Sequence, residues 1–145
     1  MSSLVVETLI HAPPERCFDL VRTAQLDLVP VAGSGSGVVA AGQIATFKVG
    51  LLGAEFRLVF EVVDVERPRK FVDVMKHGPF ASFRHVHEFT PQGPHNTILR
   101  DTVEWCSPFG LLGSIADRLF VARRLGRSVA ERNANLKRLA ETGRD

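Results

Sequence analysis

The chain has 145 residues, 45% of them hydrophobic and 23% charged, with a formal net charge of +2; this suits one domain with a sizeable core and excludes a disordered or low-complexity chain. Ten Phe and one Trp stand against no Tyr, so nearly every ring lacks a hydroxyl that would need a partner, and the interior is expected to be greasy. Cys17 and Cys106 form neither a disulfide framework nor a zinc-ligand pattern, and there is no 18-residue apolar run and no signal-like start, so a cytoplasmic, non-spanning protein is expected.

Leu4 to Ile10 is rich in β-branched residues and stops at His11-Ala12-Pro13-Pro14, which predicts a strand followed by a helix with proline in its first turn. That helix should run from Pro13 to about Thr23, with Cys17, Phe18 and Val21 inward and Glu15, Arg16, Asp19 and Arg22 outward. Pro30 and the run Gly33-Ser34-Gly35-Ser36-Gly37 end the periodicity and predict a surface connection. From Val38 to Trp105 the pattern has period two: Ala45-Phe47-Val49, then Phe56-Leu58-Phe60-Val62, then Phe71–Met75, Phe83–Thr90 and Thr97–Trp105, separated by Gly- and Pro-containing turns. Short connections make antiparallel neighbours, so one meandering sheet is expected. Ser107 and Pro108 then open a long helix to about Glu141, with Leu112, Ile115, Leu119, Val129, Leu136 and Leu139 as its apolar stripe. At roughly 50 Å such a helix outruns a small domain, and Gly110, Gly113 or Gly126 are the places for it to bend or break.

The fold class expected is α+β: a curved antiparallel sheet of six to seven strands wrapped around a long C-terminal helix, with a short helix or helices after strand one, in a single domain over 1–145. This order resembles the helix-grip superfamily called SRPBCC, which includes START lipid-transfer domains, birch-pollen-type allergens and polyketide cyclases. Ala12-Pro13-Pro14-Glu15-Arg16-Cys17-Phe18-Asp19-Leu20-Val21 is similar to its opening helix. Gly78-Pro79-Phe80, Arg84-His85-Val86-His87-Glu88-Phe89, Asp101-Thr102-Val103-Glu104-Trp105 and Pro108-Phe109-Gly110-Leu111-Leu112-Gly113 are similar to its bacterial cyclase/dehydrase-like branch. The resemblance implies a cavity for a hydrophobic ligand, with catalysis in some members.

His85 and His87, two apart on a predicted strand, share a face with Phe83 and Phe89, and Asp101 shares one with Leu99, Val103 and Trp105 on the next strand. Facing inward, these three would make a polar island in an apolar wall. Three roles compete for it: a satisfied structural His–Asp pair, a group that orients a ligand, and general acid/base catalysis. H-x-H could also present two imidazoles to a metal with Asp101 as third ligand, but the spacing signature of a zinc site is missing, and no metal or other cofactor is expected. Phe47, Phe56, Leu58, Phe60, Phe71, Phe83 and Trp105 from the sheet, with Leu112, Ile115 and Leu119 from the helix, are the candidate lining of the cavity. Gly78-Pro79-Phe80 and residues 33–42 are its candidate lips. Gly35-Ser36-Gly37-Val38-Val39-Ala40 matches a dinucleotide fingerprint in letters alone, because no strand-turn-helix context surrounds it.

Residues 111–145 hold eight Lys and Arg against four Asp and Glu. Arg118, Arg123, Arg124 and Arg127 could meet an anionic membrane surface weakly, or form a solvated face with local pairs such as Arg127 with Glu131; without interleaved aromatic residues they make no nucleic-acid platform. The expected partner is a hydrophobic or amphipathic small molecule (lipid, isoprenoid or polyketide-like), with the oligomeric state open. The first alternative is a polyketide cyclase or dehydratase using His85, His87 and Asp101, and the second is an interaction module acting through the arginine-rich helix.

Overall fold

Alternating strands joined by tight turns build a sheet whose inner face must be covered. The computed structural model describes residues 1–21, 29–30, 39–51, 53–107 and 120–142. Its strands are β1 (Ser2–Ile10), β2 (Val29–Pro30), β3 (Ile44–Leu51), β4 (Ala54–Glu66), β5 (Lys70–His77), β6 (Ser82–Pro91) and β7 (Thr97–Cys106), and its helices are α1 (Pro14–Leu20) and α2 (Ala122–Thr142). The seven strands form one antiparallel sheet in the order β1-β7-β6-β5-β4-β3-β2. The meander expected from the turn spacing is therefore present, and the first strand closes it by pairing along β7 from Ser2↔Trp105 to Ile10↔Thr97. Pro30, expected only to interrupt the chain, lies opposite Phe47 in the outermost strand, the position where a residue without a backbone N–H is tolerated. Gly53 (φ +80°) and Gly93 (φ +77°) occupy the left-handed region at the β3–β4 and β6–β7 turns.

Helix α1 starts with Pro14 in its first turn behind Pro13. It buries Cys17, Phe18 and Val21, as its periodicity predicts. Phe18 meets Phe71 and Phe89 edge-on, with ring centroids 5.6 and 5.4 Å apart. Arg16 departs from the outward assignment: its Nε donates to the Ala140 carbonyl at 2.8 Å, placing a cation on the C-terminal carbonyls of α2. Helix α2 continues unbroken through Gly126, so that glycine is not the bend expected of it. Gly110 and Gly113, and the stretch 108–119 with Leu112, Ile115 and Leu119, lie outside the described residues.

The interior falls into two apolar clusters. One gathers Ile10, Cys17, Phe18, Val21, Val62, Phe71, Phe89, Leu99 and Leu136 beneath α1. The other gathers Leu58, Phe60, Phe80, Phe83, Val103, Trp105, Val121, Leu125 and Val129, with Leu4, Val6, Phe56 and Met75 packed on it. Period two carries each inner strand face from one cluster to the other. Phe89 and Phe83 bracket His87 and His85 on β6, Leu99 and Val103 bracket Asp101 on β7, and Phe71 and Met75 bracket Asp73 on β5.

Candidate functional site

Where the two clusters meet, the inner face turns polar. In the β6–β7 register His87 lies opposite Asp101, and in the β5–β6 register His85 lies opposite Asp73. Helix α2 contributes the same interruption: Leu125, Val129 and Leu136 are buried in helical phase, and Arg132 and Asn133 are buried between them.

Asp101 is the centre of the layer and is completely buried. Its Oδ1 accepts from His85 Nε2 at 2.8 Å and from Arg132 Nη2 at 2.5 Å, and lies 3.0 Å from His87 Nδ1. Its Oδ2 accepts from Asn133 Nδ2 at 2.7 Å, and that amide also reaches Thr8 Oγ1 at 3.2 Å. Arg132 Nε donates to Asn133 Oδ1 at 2.8 Å. Burial alone would push the Asp101 carboxyl up, but the Arg132 guanidinium and the bonds from His85 and His87 outweigh it and hold the group well below the usual carboxylate range. A buried carboxylate so surrounded has its acceptor capacity met, as burial requires.

The two histidines differ in what they leave free. His87 is sealed, with 1% of its side chain exposed: Nε2 bonds Asp73 Oδ2 at 2.9 Å, and the ring stacks on Phe71 at 3.9 Å. His85 retains 14% exposure and Asp73 17%, so these two form the reachable side of the layer. Burial, followed by the neighbouring His87, lowers the His85 imidazole to about 4 against the opposing pull of Asp101, which makes it neutral at physiological pH. Because the ionised Asp101 only accepts, the His85 proton sits on Nε2 and the lone pair on Nδ1.

For a metal, the sequence offers Asp101 as third ligand; the structure groups Asp73 with His85 and His87 instead, their donor atoms within 4.8 Å of one another. The two imidazoles stack 3.8 Å apart at 19°, so their in-plane lone pairs run side by side rather than converging on a point about 2.1 Å from both. Ligation would require both rings to turn away from their carboxylates, next to the Arg132 cation. The arrangement suits a hydrogen-bonded layer better than a metal centre.

Of the candidate lining, Leu58, Phe60, Phe83 and Trp105 lie together in the second cluster with Phe56 against it. Phe71 is displaced from that wall: it belongs to the cluster beneath α1, behind His87. The Phe47 side chain, like Leu112, Ile115 and Leu119, lies outside the described residues, as do residues 33–38 of the expected lip, whereas Phe80 of the other lip packs into the second cluster. The Trp105 indole N–H is buried there without a hydrogen-bond partner. An open surface groove of about 390 Å³, lined by Glu66, Arg69, Lys70, Glu88, Phe89, Thr90 and Pro91, shares only Phe89 with the interior clusters. On α2, Arg124 bonds Ser128, and the i,i+4 ion pair is Lys137 with Glu141 at 2.6 Å rather than Arg127 with Glu131. Sequence reasoning missed Asp73, Arg132, Asn133 and Thr8.

A curved antiparallel sheet, a short helix after the first strand and a long C-terminal helix define the helix-grip fold. Residues 1–141 match the family described as "Polyketide cyclase / dehydrase and lipid transport", and the chain belongs to that family, within the superfamily its motifs resemble. Among solved structures it is similar to TTHA0849 from Thermus thermophilus (19% identity, 98% of this chain and 100% of that one, TM-score 0.77). It is also similar to the Zhui aromatase/cyclase from Streptomcyes sp. R1128 (11% identity, 97% and 93%, TM-score 0.73). A START superfamily protein from Mycobacterium smegmatis is a third such structure (13% identity, 96% and 97%, TM-score 0.65). At these identities the likeness shows the fold alone. No curated protein matches significantly. Family and fold indicate hydrophobic-ligand binding or a polyketide cyclase-like function. Among the described residues no helix is long and apolar enough to cross a membrane.

Proposed function

We propose that the protein binds a hydrophobic or amphipathic small molecule against the second apolar cluster, with the polar layer fixing its orientation. One observation carries this reading: within an apolar wall, His85 and Asp73 alone of the charged cluster keep reachable surface, while Asp101, Arg132 and His87 are sealed behind them. Apolar contact supplies affinity at about 25 cal/mol per Å² before association costs, and a few polar groups supply orientation. Native mass spectrometry of the protein purified from its own host tests this. An extractable apolar adduct is expected; protein without one, which also fails to enhance the emission of a neutral apolar fluorophore, would sink the reading.

Acid–base catalysis is the second reading, favoured by the dyad of His85 with Asp101. A conjugate acid near 4 makes Nδ1 a weak base at neutral pH, less suited to general base work than to accepting a hydrogen bond. His85→Gln should therefore weaken ligand binding in a carrier, whereas in a cyclase or dehydratase it would abolish turnover. Weak contact with anionic membrane belongs to the first reading: Phe120 is exposed, and Arg123 and Arg127 follow at i+3 and i+7, also exposed, each basic residue contributing about 1 kcal/mol near a charged bilayer. Arg118 lies outside the described residues. Co-sedimentation with anionic but not neutral vesicles, lost in about 0.5 M salt, where screening is strong, checks that contact.

A further inference from the structure

Resting on the binding reading, the chemistry of the reachable atoms narrows the ligand. On His85 the proton is committed to Asp101 through Nε2, which leaves Nδ1 as an acceptor. Asp73 receives His87 Nε2 on Oδ2, and its Oδ1 has no hydrogen bond among the described residues. Both atoms a ligand can reach are therefore acceptors. The donors of the layer are buried behind them, Arg132 against Asp101, Asn133 and His87, and Asn133 against Asp101 and Thr8. The one buried side-chain donor without a partner among the described residues, Trp105 Nε1–H, is itself inaccessible. Asp73 and His85 sit opposite each other in the β5–β6 register, so a single group can lie between them.

We propose that the ligand presents a hydrogen-bond donor on an apolar body to this pair, a hydroxyl giving its one proton to His85 Nδ1 or to Asp73 Oδ1 or a protonated amine donating to both, and that this site rejects a free carboxylate. A carboxylate would meet a second carboxylate with no accessible donor of this layer among the described residues to satisfy it, and the penalty grows in surroundings of low dielectric. Rejection by mismatched polarity is how such a site discriminates among ligands of equal size.

The test is a matched series of one ring system: 2-naphthol, 2-methoxynaphthalene and 2-naphthoate, titrated by calorimetry at about pH 7.5, where the free naphthoate is ionised. The naphthol is expected to bind at least about tenfold tighter than the ether, as for a hydrogen bond to a charged group, and the naphthoate weakest. In Asp73→Asn, where the amide adds a donor, the naphthoate should gain at least about tenfold on the naphthol, and in His85→Phe the naphthol-to-ether ratio should fall toward one. An ether within threefold of the naphthol, or a naphthoate binding tightest, overturns this inference while leaving the pocket intact. Failure of all three probes, together with no adduct by native mass spectrometry, overturns the pocket and this inference with it. The comparison in the unaltered protein stands whether or not either variant folds.

Discussion

The two apolar clusters differ in how tightly they close. Beneath α1, every buried member from Ile10 to Ala140 is 5% exposed or less, with Leu20, Val65 and Leu139 partly buried against them, and Phe18 meets two further rings edge-on. Across the polar layer, Ala45, Phe60, Phe80, Phe83 and Val129 each reach 7–9%, and Leu4, Val6, Phe56 and Met75 are only partly buried. One sheet thus carries a more closely buried end and a slightly more exposed one, and the second is the end at which the proposed guest would be held.

The comparison breaks first at its strongest points. Phe18→Ala should cost about 3–5 kcal/mol in denaturant unfolding, while Phe56→Ala at the looser end should cost less than half of that; equal costs would erase the distinction between the ends. Arg132→Met, which leaves Asp101 buried without its cation, should also cost about 3–5 kcal/mol. It should lower the midpoint of thermal unfolding even though His85 and Asp73 are unchanged. Acidification comes next. The folded His85 value near 4 lies below the 6.5 of an unfolded chain, so the unfolded chain takes up the proton first. Stability is then complete above pH 6.5 and declines toward pH 4, by up to about 3 kcal/mol. Asp101, also lowered on folding, adds a loss below its unfolded value of 3.8. Urea midpoints measured across this window should slope in the native protein and flatten between pH 6.5 and 4 in His85→Phe. The smallest effect lies on the helix common to both ends: a Cβ at Gly126 meets nothing within 4 Å. Gly126→Ala should therefore stabilise by about 0.5–1 kcal/mol, and a loss of stability would mean that α2 does need flexibility there.

Much of this arrangement is legible in the residues. Period two places His85 and His87 on the face of Phe83 and Phe89, and Asp101 on that of Leu99 and Val103, and the register brings them together. The partners from other elements are not legible by the same rule. Arg132 counts among eight basic residues near the C-terminus and looks like solvated surface until its phase is set against Leu125, Val129 and Leu136. Asp73 stands two residues from both Phe71 and Met75, so alternation alone marks it as inward, but a search for apolar stripes passes over the charged member of each stripe. Phe71 falls on the opposite side of the polar boundary from its expected place because a strand pattern gives the face and not the depth along it.

Oδ1 of Asp101 is shared by His85, His87 and Arg132, and Arg132 is rooted in α2. The reachable imidazole is thereby linked through one oxygen to a helix that packs across the interior, and a rotation of α2 about its axis would pull on the carboxylate that holds the ring. Substitutions on the outer surface of α2 would then be expected to alter the orientation of Nδ1 toward the proposed guest.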